Sequence, residues 1–161
     1  MTEPRTSSRP TTFSFRSTDL GRSRAKGFEE VRTDVGCLSA WEVAPRVFVS
    51  VAEGHMQPAH ADLFVRVGDR IAELGRPMAG FHDWTGMVSY DSVTRKVLTD
   101  WSLSRRDQIR ESHIAIESRL VRMGVTLANL ALDGMIEPHA TRDELSQAFD
   151  KFFADGGVNK R

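Results

Sequence analysis

The chain has a single cysteine, no excess of charge of either sign and no long apolar run. Cys37 alone excludes an internal disulfide bond, as is common in reducing compartments. Basic and acidic residues number 22 each, so no net charge attracts nucleic acid. No run approaches the roughly 20 apolar residues of a membrane span, and the N-terminus lacks the apolar core of a signal peptide. We therefore expect a cytoplasmic protein without a transmembrane segment or a nucleic-acid partner.

Motifs that carry catalysis or metal binding are also missing. The sequence contains no nucleophile elbow, no glycine-rich phosphate loop and no paired catalytic carboxylates. His82 and Asp83 could act as acid and base, but neighbours along a strand point to opposite faces. We therefore predict a non-enzymatic protein without a metal or cofactor. No histidine has zinc-type spacing to another histidine or to Cys37. The five histidines are His55, His60, His82, His113 and His139.

Composition divides the chain into one domain and two tails. Residues 1–32 are rich in Ser, Thr and Arg and contain few apolar residues, which predicts a disordered N-terminal segment. Residues 35–155 carry alternating apolar patterns and have the length of a single domain. The glycines and polar residues of 156–161 predict a flexible C-terminal tail.

Helical and strand patterns alternate through the domain. Two β-rich runs flank Pro45 and predict a hairpin, and later strands are separated by helices. This order predicts an α/β sandwich with about four helices and a mixed, mainly parallel sheet of four to five strands. The elements expected after the hairpin are a helix from Pro58 to Gly75, a strand over 78–81, a helix starting at Asp91 or Ser92, a strand over 113–117, a well-buried helix over 120–132, a short edge strand near Pro138, and a final helix capped by Thr141 and Glu144.

Polar and aromatic residues are concentrated between the predicted strand at 78–81 and the next helix. Loops that follow parallel strands share one edge of the sheet, where ligands of open α/β sheets bind. We therefore predict a loop that contacts a protein partner, and Ser92 or Ser89 could accept a phosphate at the helix start. Helix capping by Asp91 or Ser92 is the alternative explanation. The predicted contact residues are Asp83, Trp84, Thr85, Tyr90, Asp91 and Ser92.

The segment DWTGMVSYDS resembles the STAS domain family of anti-sigma factor antagonists, especially its SpoIIAA-like branch. The family segment reads approximately D-L-S-x-V-x-F-x-D-S-S-G. The acidic, hydroxyl, apolar, acidic and first serine positions of that segment correspond to Asp83, Thr85, Met87, Asp91 and Ser92.

The resemblance has two functional implications. It implies a regulatory domain that docks a protein, such as a kinase-like anti-sigma factor. The serine phosphorylated in classical members corresponds to Val93, and the glycine after it corresponds to Thr94. The SpoIIAA-like branch also resembles the SEC14 lipid-binding fold, which implies a lipid or apolar small molecule as the alternative ligand. Trp84 and Trp101 are large rings that could line such a pocket.

Overall fold

The computed structural model describes residues 27–75 and 77–159. Within them, one mixed sheet has six strands in chain order, β1-β2-β3-β4-β5-β6. The first three strands are antiparallel, and β3 to β6 are parallel neighbours. The strands are β1 (Glu29–Arg32), β2 (Gly36–Ala44), β3 (Val47–Met56), β4 (Met78–Tyr90), β5 (Ile109–Ala115) and β6 (Ile136–His139).

The hairpin predicted around Pro45 is confirmed, because β2 and β3 flank that residue. The strand β1 is an addition, and it raises the sheet to six strands instead of the predicted four to five. It lies inside the stretch predicted to be disordered, of which residues 1–26 are outside the described part. The sequence did not indicate this strand partly because its ion pairs are long-range. Glu29 binds Arg66 at 3.2 Å and Arg70 at 2.9 Å on a distant helix. Its four residues hold one apolar side chain, too few for a recognisable pattern.

Four α-helices cover the two faces of the sheet in the described ranges. The three connecting helices share a core with one face, where Trp84 and Trp101 are buried. The last helix covers the other face, where its Leu145, Phe149 and Phe152 pack with strand residues. Among residues 27–75 and 77–159, no helix has both the length and the apolar composition needed to cross a bilayer. The helices are α1 (Pro58–Ala72), α2 (Ser92–Ser104), α3 (Arg119–Ala131) and α4 (Arg142–Ala154).

Short turns occupy two further segments. A 3₁₀ turn (Arg106–Gln108) precedes β5, so the strand begins at Ile109 and not at the predicted residue 113. A second 3₁₀ turn (Gly157–Asn159) follows α4 within the stretch predicted as a flexible tail. Residues 160–161 of that tail are outside the described part. At the start of α4, the Thr141 hydroxyl accepts a hydrogen bond from the Glu144 amide, as the predicted cap requires.

The predicted loop after residue 81 is wrong, because β4 extends from Met78 to Tyr90, 13 residues in all. Every residue from Met78 to Trp84 is buried. Helices lie over both faces of this central strand, so its side chains are enclosed on either side. His82 and Asp83 look like loop residues by polarity, yet both are buried and hydrogen-bonded.

The helix over 120–132 is also not well buried, contrary to expectation. Its inward side buries Val121, Gly124 and Val125. Four apolar residues at spacings of three and four form a line on its outer side, which we call the α3 stripe. The stripe consists of Leu120, Met123, Leu127 and Leu130, with 45, 57, 50 and 73% of their surfaces exposed.

Candidate functional site

An apolar cavity lies between the sheet and the helices of the first face. Its volume is about 80 Å³. Strand residues such as Trp84 and Ile114 line it from the sheet, while α2 and α3 line it from above. Trp84 and Trp101, which the sequence suggested as pocket residues, are both among the lining residues.

Small residues on α2 and α3 leave space at the cavity. Thr99 and Ser102 line it from α2, and Gly124 and Ala128 line it from α3. A Cβ atom at Gly124 would lie 2.2 Å from the Tyr90 hydroxyl oxygen, so glycine is needed for the close approach of that ring. Larger residues at these positions would fill the space between the helices. The cavity therefore follows from the choice of side chains along two helices.

A hydrogen-bonded group of three side chains lies on the sheet side of the cavity. The Trp84 Nε1 donates to Ser50 Oγ at 3.1 Å, and Ser50 Oγ is 2.7 Å from His82 Nδ1. Burial, with a smaller contribution from His113, lowers the pKa of His82 to about 3. His82 is thus a neutral polar group near neutral pH.

One cationic side chain adds polarity to the cavity wall. Arg95 on α2 lines the cavity and is partly exposed. Its guanidinium forms no hydrogen bond or ion pair with any residue of the described ranges. An arginine in this state retains all five donors for an anionic group. The cavity therefore combines apolar walls with one available positive charge.

The predicted contact residues do not form one surface. Asp83 is 1% exposed and faces α4, where its Oδ2 accepts from Arg142 Nε at 2.6 Å. The Thr85 hydroxyl donates to Asp83 Oδ1 at 2.7 Å. Trp84 points to the opposite face and is 7% exposed. The expectation that Asp83 and Trp84 are displayed on a loop is therefore wrong, because neighbouring residues of a strand alternate between two covered faces.

The remaining predicted residues lie at the end of β4 and the start of α2. His55 is 2.7 Å from Ser89 Oγ through Nδ1 and 2.8 Å from Asp91 Oδ1 through Nε2. Tyr90 and Asp91 are partly exposed, and Ser92 is exposed as the first residue of α2. Asp91 occupies the N-cap position without a side-chain capping bond, because its carboxylate faces His55. These residues form a surface group separate from Asp83 and Trp84.

Sequence reasoning missed Arg95, Ser50 and His55. Arg95 looks like an ordinary solvated residue of an amphipathic helix, and its only local signal is its spacing from Leu98 and Ser102 on the same helix. Ser50 and His55 gain their roles through partners more than 30 residues away, so no local pattern marks them. Comparison with known proteins gives no match to any family model, curated protein or solved structure.

Proposed function

We propose that this chain is a non-enzymatic binding domain for a small apolar molecule with an anionic group, such as a short-chain fatty acid. The observation that carries the proposal is the apolar cavity with Arg95 in its wall, whose guanidinium pairs with no residue among 27–75 and 77–159. Binding domains for small molecules combine apolar walls with a few convergent polar groups. The polar groups in the lining include Arg95, His82 and Ser112.

The energetics favour an amphipathic ligand over a fully polar one. Each methylene group transferred from water to the cavity contributes about 0.8 kcal/mol. An anionic group paired with a guanidinium adds a charge-assisted hydrogen bond of about 1.5 to 3 kcal/mol. A ligand of purely polar groups would lose hydration against the tryptophan and isoleucine walls and would gain little in return.

Native mass spectrometry tests the proposal directly. Protein purified from its native cells in gentle conditions is expected to carry an additional mass that organic extraction removes. Adding a short-chain saturated fatty acid to the extracted protein should restore a 1:1 complex. Quenching of Trp84 and Trp101 emission provides a second readout, because both rings line the cavity. A clean mass before extraction, together with no complex at micromolar fatty acid, would refute the proposal.

A second candidate function is protein docking, as the STAS resemblance implies. The resemblance remains a prediction, and so does a kinase-like anti-sigma factor as the partner. The observation that favours docking is the α3 stripe, because large exposed apolar patches mark interaction surfaces. Val88 at the end of β4 is 60% exposed and its carbonyl accepts from Ser118, the residue before α3. Val88 therefore lies next to the start of α3 and two residues before Tyr90 in the same strand.

Pull-down from native cells can distinguish this second function from ligand binding. Leu127→Glu in the α3 stripe and Asp91→Lys at the surface group should both reduce recovery of one specific partner. Asp62→Lys, an exposed change on α1, serves as the matched control. Fatty acid binding should be unaffected by all three changes, since none of these residues lines the cavity. Equal recovery by all variants would argue against docking through this surface.

A further inference from the structure

Two histidines and a glutamate meet on the face of the sheet opposite to the cavity. His113 on β5 lies beside Glu137 on β6, and His139 follows two residues later on the same face. The His113 Nδ1 is 2.9 Å from His139 Nε2 and 3.5 Å from Glu137 Oε2. One ligand atom from each of the three residues lies within 4.8 Å of the other two. The parallel register of β5 and β6 therefore creates a cluster that residue spacing along the chain does not reveal.

We propose that His113, Glu137 and His139 bind a divalent transition-metal ion of the Zn²⁺ class. With Zn–N bonds of about 2.0 to 2.1 Å, two tetrahedral nitrogen ligands lie about 3.3 Å apart. The observed separations of 2.9 and 3.5 Å bracket that value. The third pair, Glu137 and His139, has its ligand atoms within 4.8 Å of each other, so a metal would draw the three groups together from these separations. Two imidazoles and one carboxylate are a donor set that suits zinc better than calcium or magnesium.

The surroundings of His113 hold its ring in an orientation suited to metal binding. Its Nε2 donates to Glu111 Oε1 at 2.9 Å, which leaves the Nδ1 lone pair directed at the cluster. This carboxylate–imidazole arrangement is the one that orients histidine ligands in zinc proteins. The ring also stacks on Phe81, with centroids 4.9 Å apart and planes inclined by 2°. His113 is 7% exposed, so its position is fixed by packing.

The other two ligands leave the site accessible to an incoming ion. His139 is partly exposed, and the Glu137 side chain is 66% exposed. Three protein ligands leave a fourth tetrahedral position for water. In the metal-free protein the His139 Nε2 proton is donated to His113 Nδ1, since Nε2 of His113 already holds its own proton for Glu111. If the metal binds at His139 Nε2, the proton of that nitrogen would move to Nδ1 of the same ring.

Zinc titration of the full chain tests the site. Protein treated with a chelator is titrated with ZnCl₂ in competition with a chromogenic chelator, and 1:1 binding is expected. His139→Ala should weaken binding by about 100-fold or more, and Glu111→Gln by about 10- to 100-fold. His55→Ala removes a partly exposed histidine elsewhere and should leave the affinity unchanged. Circular dichroism confirms that each variant is folded.

Cobalt substitution distinguishes a defined site from loose association. Co²⁺ at a tetrahedral site gives strong visible absorption bands, and Glu137→Gln should change their positions without unfolding the chain, because the residue is largely exposed. Mg²⁺ and Ca²⁺ should not compete at millimolar concentration. The proposal is overturned if wild type and His139→Ala bind zinc equally, if no 1:1 complex forms, or if Mg²⁺ displaces the metal.

Discussion

At the scale of single residues, His82 shows how burial sets the properties of an ionisable group. Burial lowers its pKa from 6.5 to about 3. Above pH 6.5 the imidazole is neutral in the folded and unfolded states, so it adds no pH dependence there. Below that value the unfolded chain takes up a proton that the folded chain refuses. The free energy of unfolding should therefore decrease as the pH falls from about 6 to 3. The contribution of His82 to this decrease approaches about 1.4 kcal/mol for each pH unit.

Urea unfolding at pH 7, 6, 5 and 4 measures this dependence. The His82→Asn variant keeps a polar partner for Ser50 but cannot take up a proton. Its free energy of unfolding should decline less steeply with falling pH than that of the wild type. Parallel declines in the two proteins would show that other groups cause the acid sensitivity.

Arg95 makes a second prediction at this scale. If its guanidinium pairs with the anionic group of the ligand, Arg95→Gln should weaken binding of a fatty acid by about tenfold or more. Binding of the fatty alcohol with the same chain length should change little, because the alcohol carries no charge. Arg119→Gln at the exposed start of α3 is the matched control. Tryptophan fluorescence titration gives both affinities, and an equal loss for acid and alcohol would contradict a role in charge recognition.

At the scale of elements, local signals predicted some features well and failed at β4. The hairpin at Pro45 and helix α1 follow from turn chemistry and from apolar spacing within a few residues. The length of β4 depends instead on distant partners. Asp83 forms a hydrogen bond with Arg142, and His82 forms one with Ser50. Polar residues indicate a loop only when nothing else in the fold can satisfy them. Because β4 extends through residues 83–85, Asp83 and Trp84 point to opposite faces of the sheet instead of sharing one loop.

The prediction for helix α3 was wrong for a different reason, because apolar content does not establish burial. The sequence shows apolar residues on much of its circumference, but the sheet contacts only one side. The α3 stripe stays exposed, and the cavity lies beneath the inward side. Sequence alone cannot tell a helix covered on two sides from one that has another surface available for a partner.

The apolar cavity beneath α2 and α3 should lose its ligand when a larger side chain from α3 fills it. Ala128→Phe should fill the cavity and lower fatty acid affinity by about tenfold or more, since the ligand would lose most of its apolar contact. Thr126→Phe adds the same ring to the exposed side of α3 and should leave binding unchanged. Fluorescence titration measures both, with urea unfolding as a check on stability. Unchanged binding in Ala128→Phe would place the ligand elsewhere.

At the scale of the whole molecule, the sheet separates two faces with different chemistry. The face under α1, α2 and α3 holds the apolar cavity, whereas the α4 face holds the Asp83–Arg142 pair and the histidine cluster. His82 and Asp83 are neighbours in β4 and serve opposite faces. The proposed apolar ligand and metal ion would therefore bind on opposite faces of the sheet without sharing a side chain.

The Asp83–Arg142 pair joins the α4 layer to the centre of the sheet, and its two members should not be equivalent. The Asp83 side chain is fully buried, but 38% of the Arg142 side chain is exposed. Arg142→Met would leave a buried carboxylate without its cation, at a cost of about 3 kcal/mol. Asp83→Asn removes the buried charge, and water can still hydrate Arg142, so the loss should be smaller. Urea unfolding of both single variants and the double variant measures the difference. Equal losses in the two single variants would mean that packing, not charge, holds α4 to the sheet, whereas recovery in the double variant would identify the unpaired carboxylate as the cause.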